Sequence, residues 1–238
     1  MIIEEFIKYS DELGINITDG ILNKLDIYYN YLIEYNSHTN LTAITNKEDV
    51  YLKHFYDSLT IIKAIDLNNI NTLIDVGTGA GFPGMVLAIC YPNIEVTLLD
   101  SNNKRINFLN ELINKLNITN VKTVHERSEI YAKTHKDMYD IVTARAVKNM
   151  KELTELCLPL VKVDGYFIPL KGNIEEELDN SKDIINKING NIEDIITFNL
   201  PNNDLRNIIK IRKIDKCPDK YPREYKEIVK WLNNYINI

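Results

Sequence analysis

The residues with the plainest chemical purpose are Asp75-Val-Gly-Thr-Gly-Ala-Gly81 and the Phe82-Pro-Gly84 that follows. Glycines at alternate positions permit positive φ and let a ligand touch bare backbone. The apolar stretch Thr72-Leu-Ile-Asp75 runs into this turn, and a helix is expected from Pro83, a residue suited to the first helical position. Asp100 ends the next apolar stretch and can offer both carboxylate oxygens to ribose hydroxyls. Two ligand classes fit. Gly79-Ala-Gly81-Phe-Pro-Gly84 spells the GxGxxG of a dinucleotide turn, with Asp100 at the ribose distance. The early, dense glycines, with Asp75 two residues before the first, tilt the choice to S-adenosylmethionine. Asp75 would receive its ammonium, with no pyrophosphate needed at the helix N-terminus.

The elements that must position these residues follow an α/β rhythm. Strands are expected at 72–75, 94–100, 121–124, 139–143 and 165–170, with helices from Pro83 and over 103–117, 149–158 and 174–188. Such alternation builds a mostly parallel sheet with helices on both faces. Two β-rich runs, 192–198 and 207–212, follow without a helix between them and read as an antiparallel C-terminal hairpin; a last helix spans 224–236. Before the sheet, 4–64 reads as helical. Ile21, Leu25, Tyr28, Tyr29 and Leu32 form one apolar stripe and Val50, His54, Phe55, Ser58 and Ile62 a second, with polar 36–42 as the connection. The expectation is one domain over 1–238, with an N-terminal helical cap at 1–66 and a Rossmann-like core at 67–238.

Composition narrows the classes. The formal net charge of −6 argues against an indiscriminate nucleic-acid binder, although local basic patches can still govern a cleft. No signal peptide and no membrane-length apolar run is visible. Cys90, Cys157 and Cys217 form neither a CxxC pair nor a disulfide framework and read as reduced structural thiols of a cytoplasmic protein. No His/Cys spacing suggests a metal, and His125 and His135 read as surface or packing residues. His54, Asp57 and Ser58 share a helical face, but without a nucleophile elbow they are read as packing beside the cleft and not as a triad.

In order along the chain, Asn40-Leu-Thr-Ala-Ile44, His54-Phe-Tyr-Asp-Ser-Leu59, the glycine turn to Gly84, Leu98-Leu-Asp-Ser101 with Lys104-Arg105, Thr143-Ala-Arg-Ala146 and Leu170-Lys-Gly172 together resemble one family. It is the bacterial RsmG family (GidB, glucose-inhibited division protein B), which methylates N7 of a guanine in 16S ribosomal RNA. The resemblance covers roughly 40–172 and implies a Rossmann-like class I methyltransferase sheet with S-adenosylmethionine as donor. Matched motif by motif, Gly77 and Phe82 fall on cofactor positions, Ser128 and Glu129 on the pair that holds adenine, and Arg145 on a ligand-contacting arginine. Asp75, Gly79 and Asp100 join them on the chemistry of the turn. Lys220-Tyr-Pro-Arg223 departs from the family by running straight into a helix, which puts RNA contacts of the extreme C-terminus in doubt.

The chemistry agrees. Guanine N7 already carries a lone pair, so the reaction needs proximity and orientation and no obligatory general base. The loop after the fourth strand lacks the Asn-Pro-Pro-Tyr pattern of adenine-N6 enzymes, and no Pro-Cys supplies a cytosine-C5 thiolate. Arg145 and Lys171 are expected to orient the substrate. Lys104-Arg105, Lys171 and the basic residues from Arg206 to Arg223 would contact phosphates of 16S RNA or of the small ribosomal subunit. A monomer is expected. A small-molecule methyltransferase, a dinucleotide oxidoreductase and a non-catalytic nucleotide- or RNA-binding module remain as alternatives.

Overall fold

The computed structural model describes residues 1–145, 148–172 and 174–236; Ala146, the last residue of the Thr143–Ala146 motif, lies outside them. Seven strands form one sheet: β1 (Thr72–Val76), β2 (Glu95–Asp100), β3 (Val121–His125), β4 (Tyr139–Arg145), β5 (Val161–Lys171), β6 (Gly190–Asn199) and β7 (Leu205–Lys213). Their order is β3-β2-β1-β4-β5-β7-β6. Neighbours among β1 to β5 are parallel, and β7 lies antiparallel to both β5 and β6. The chain leaves β1 towards β2 and β3, then returns to its other side at β4. Open sheets bind ligands at this switch point, beyond the carboxyl ends of the strands.

The long helices are α1 (Ile3–Glu12), α2 (Asp19–Thr39), α5 (Gly84–Cys90), α6 (Asn103–Leu116), α8 (Met150–Cys157), α9 (Glu175–Lys187) and α10 (Tyr225–Ile236). Single turns α3 (Lys47–Val50), α4 (Asp57–Leu59) and α7 (Ser128–Tyr131) complete the set. Strand residues alternate between two cores, as period 2 requires. Leu73, Val96, Leu98, Ile141 and Ile168 meet the N-terminal helices, α5 and α6. Ile74, Leu99, Val142 and Phe167 meet α8, α9 and Ile228 of α10. The first core runs without a break from Phe6 and Leu25 of the cap to Leu73 of β1, so the cap closes one face of the sheet.

The structure revises several boundaries. α2 continues through the polar segment to Thr39 and ends at Asn40 in the left-handed conformation (φ 50°), where the Asn36 side chain bonds both Thr42 N and Thr42 O. Pro83 sits just before α5 instead of opening it. The segment Tyr51–Tyr56 is a π-helix, a form that often marks functional sites. β5 begins at Val161, four residues before the expected Gly165. That glycine is required by proximity: a Cβ there would lie 2.7 Å from Asp140 O of β4.

Candidate active site at the carboxyl edge of the sheet

Every predicted site residue lies at or near the carboxyl edge. Gly77, Gly79 and Gly81 have φ of 69°, 60° and 101°, values that favour glycine. The amides of Gly77 and Thr78 both donate to Leu99 O (2.8 and 3.1 Å), which ties the turn to β2. Gly79 N donates to Asp100 Oδ2 (3.0 Å). Gly81 also faces α2: a Cβ would stand 2.6 Å from the Tyr28 hydroxyl, which donates to Ala80 O. The cap therefore grips the turn directly.

Asp75 is fully buried. Its Oδ2 accepts from Thr78 Oγ1 (2.7 Å) and Gly84 N (2.9 Å), while Oδ1 is buried without a partner. Burial raises its pKa to about 6, against the pull of those bonds and of Arg145. An orphaned carboxylate oxygen is costly, so a ligand cation, reaching it directly or through water, would be favoured there. Asp100, also buried, accepts from Asn102 N on Oδ1 (2.8 Å) and from Gly79 N and Arg105 Nη1 (3.1 Å) on Oδ2. Oδ1 retains a lone pair for a hydroxyl. Oδ2 needs the half-exposed Arg105 to yield.

Three cavities lie side by side along this edge, each sharing lining residues with the next. The first, about 180 Å³, lies among Gly77, Asp100, Ser101, Arg127, Ser128 and Glu129. The second, about 360 Å³, shares Gly77 and Arg105 with it and is lined by Thr42, His54, Thr78, Gly79, Phe82 and Arg145. The third, about 340 Å³, shares His54 and Arg145 with the second and opens among Lys53, Asp57, Lys171 and Arg206. In the first, Ser128 Oγ donates to Leu156 O (2.6 Å), and Glu129, almost fully buried, holds Arg127.

A network of residues far apart in sequence forms the junction of the last two cavities. The Arg145 guanidinium donates to Lys53 O (3.0 Å) and to His54 Nδ1 (3.0 Å), and lies 3.5 Å from Asp57 Oδ2. Asp57 Oδ1 accepts from Arg206 Nε (3.0 Å) on β7. Burial raises the Asp57 pKa and lowers that of Arg145, while each charge favours the other. Phe82 stacks between Tyr28 (centroids 5.3 Å apart, 11°) and His54 (4.3 Å, 17°), with the guanidinium carbon of Arg145 5.1 Å from its ring centre. His54 Nδ1 also lies 3.2 Å from Lys53 O, but arginine only donates and its contact is the shorter, so Nδ1 is assigned as the acceptor and Nε2–H donates to Thr42 Oγ1 (2.9 Å).

The sequence puts His54 and Asp57 beside the cleft but carries no sign of this network, of the Tyr28 contact with the turn, or of Tyr225, which lines the first cavity. Their partners lie on other elements, so local spacing holds no signal for them. Lys171 reaches the third cavity with its ammonium already engaged by Lys148 O and Glu177 (both 2.6 Å). Of the basic run, Arg206 alone reaches the junction. Lys210 and Arg212 pair with Glu193, Lys213 is buried on Asp137, and Arg223 is held by Glu155. His125 bonds Ser101 O and His135 stacks on Tyr131. The three cysteines are free thiols whose pKa values burial pushes up, so none is a ready nucleophile.

Burial, followed by the Arg145 charge, lowers the His54 pKa to about 3. The unfolded chain takes up a proton on this group near pH 6.5, which the folded protein refuses until about pH 3. Its contribution to stability is therefore complete above about pH 6.5 and is lost as pH falls. At pH 5 the loss should reach about 2 kcal/mol. Urea unfolding at about pH 7.5 and pH 5 should show this drop in the wild type and a smaller one in His54→Gln; equal drops would mean that His54 titrates normally. Asp75 works in the opposite sense: its contribution is present below pH 3.8 and is lost as pH rises through about 6.

Comparison with known proteins places this geometry. The family model for rRNA small subunit methyltransferase G (GidB) matches residues 21–205. The chain belongs to that family. It is 47% identical to the ribosomal RNA small subunit methyltransferase G of Bacillus subtilis over 228 residues, 94% of this chain and 95% of the relative. It is also 47% identical to the protein of that name from Lachnoclostridium phytofermentans, over 92% of each chain. Among solved structures, a SAM-dependent methyltransferase from Aquifex aeolicus shares the fold (TM-score 0.55, 18% identity, 74% of this chain and 98% of that one). So does a mutant of the 16S rRNA (adenine(1408)-N(1))-methyltransferase from Catenulisporales acidiphilia (TM-score 0.53, 14% identity, 65% and 87%). The fold is thus that of S-adenosylmethionine-dependent methyltransferases, as the family resemblance implied.

Proposed function

We propose that the protein transfers a methyl group from S-adenosylmethionine to N7 of a guanine in 16S ribosomal RNA. The observation that carries this reading is the row of three neighbouring cavities, linked by shared lining residues, from Asp100 and Glu129 past the glycine turn to a basic pocket at Arg145, within a chain of the small subunit methyltransferase G family. The donor supplies a methyl group made electrophilic by its sulfonium. Ser128 and Glu129 line the adenine end, Asp100 Oδ1 receives a ribose hydroxyl, and Asp75 Oδ1 is the acceptor left for the ammonium. Gly77, Gly79 and Phe82 shape the wall against which the reacting atoms meet.

In the third cavity the Arg145 guanidinium keeps N–H donors beyond those spent on Lys53 O, His54 Nδ1 and Asp57, and these suit the O6 acceptor beside guanine N7. Lys171 and Arg206 add positive charge at the rim for phosphates. No base is required, and His54 is not one, since its ring lone pair already accepts from Arg145. Its neutrality also helps: transfer moves a positive charge from sulfur to the purine, and a second histidine cation would oppose it. The basic, open rim is the reverse of the enclosed apolar pocket a small-molecule enzyme would want. We take cap and core to act as one domain and the protein to act as a cytoplasmic monomer; no described helix is long and apolar enough to cross a membrane.

Tritiated donor, incubated with small-subunit RNA or particles from a strain lacking the enzyme, tests the proposal. Label should appear as 7-methylguanine; label confined to small molecules would overturn it.

A further inference from the structure

Lys220-Tyr-Pro-Arg223 leads directly into α10, and the place of this segment in the fold gives it a use. Arg223 is clamped to Glu155 of α8 by a two-pronged pair, Nε to Oε1 (2.8 Å) and Nη2 to Oε2 (2.5 Å), and its backbone amide adds a third bond (2.9 Å). Glu155 is fully buried, so losing this partner would strand a charge. Glu224 pairs with Lys133 (2.5 Å), and Ile228 is buried in the second core. These anchors leave little freedom to the residue between them, Tyr225, which lines the first cavity together with Ser128 and Glu129.

Two cations hold the Tyr225 ring. The Arg127 guanidinium lies 4.2 Å from its centre, and Lys148 Nζ donates to its hydroxyl (2.6 Å). Arg127 is itself held by Glu129, and Lys148 pairs with Glu152 (2.6 Å). Tyr225 is thus linked through Arg127 to one of the residues at the adenine end of the row of cavities.

We propose that the segment from Arg223 through α10 is a wall of the donor site, in which Tyr225 closes the cavity over the adenine. This rests on the reading that the first cavity takes the adenosyl half of the donor. Closure by a residue of a separately anchored helix makes donor binding and helix docking reinforce one another, and the coupling is reciprocal. The chain's one tryptophan, Trp231, lies on the same helix, 4.7 Å from the Arg223 guanidinium, and reports on that docking.

The test is calorimetric titration of the full chain with S-adenosylhomocysteine and with adenosine, alongside Trp231 emission. Tyr225→Ala should weaken both ligands by about tenfold, as the loss of one aromatic contact to a purine does. Tyr225→Phe, which keeps the ring and loses the bond from Lys148, should weaken them less. In the wild type both ligands should shift Trp231 emission, whereas homocysteine should not. Wild-type affinity in Tyr225→Ala with an unchanged circular dichroism spectrum would overturn the wall, and binding without any Trp231 response would overturn the coupling. Failure of the wild type to bind either ligand would instead overturn the donor reading itself. Since each variant is a single exposed-cavity substitution, its fold is checked by the same spectrum before titration.

Discussion

Replacing Arg145 with alanine should lower methyl transfer to ribosomal RNA by about 10²–10³-fold, the cost of removing one preorganised donor from a reaction centre. Donor affinity should fall much less than the rate, because Arg145 borders the second cavity but not the first, which takes the adenosyl end. The variant should also lose about 1–3 kcal/mol of stability. That is less than the full penalty of breaking a buried pair, since Asp57 keeps Arg206 as a partner. Arg145→Lys retains the charge but cannot reproduce a planar fork that reaches Lys53 O, His54 and Asp57 together, so it should recover only part of the rate. Single-turnover transfer from tritiated donor, with urea unfolding alongside, measures both effects. Normal turnover in the alanine variant would refute the assignment.

Gly77→Arg should have the larger effect on the donor. Gly77 occupies φ 69° at the end of β1 and borders both the first and the second cavity. A non-glycine residue in that conformation costs roughly 1–2 kcal/mol, corresponding to a fall in melting temperature on the order of 4 °C for a chain of this size. The sheet should therefore survive. Donor binding should fall below calorimetric detection, because a long cationic side chain would stand between the two cavities and oppose the sulfonium. Retained affinity for S-adenosylmethionine in a folded variant would show that the donor does not lie along the turn.

The sheet was legible because each buried parallel strand is a short apolar run and each crossover helix has its own period, as with 94–100 followed by 103–117. Boundaries failed where local signals and tertiary packing disagree. The strand expected from Gly165 begins at Val161, and β5 passes through Lys162-Val-Asp-Gly165 with Asp164 at φ 67° and Gly165 against β4. Asn36 to Thr39 reads as a loop but continues α2. The one-turn helix α7, which carries Ser128 and Glu129, is too short to show any period. At the site, the glycine turn and Asp100 declared themselves by spacing, whereas Asp57 joins partners 88 and 149 residues away. Tyr28 read as one more apolar position of α2. Its hydroxyl's contact with the turn lies 52 residues further along the chain.

The long reach of Asp57 also sets a timetable for the newborn enzyme. Arg206, its second arginine, is made 149 residues after it. At ribosomal speeds of about 5–20 residues per second that interval is on the order of ten seconds. Throughout it, the glycine turn and β1 to β4 can already be assembling while the carboxylate lacks half of its compensation. An enzyme that acts on the RNA of small ribosomal subunits would thus complete its target pocket only after Arg206 has been made, long after β1 to β4.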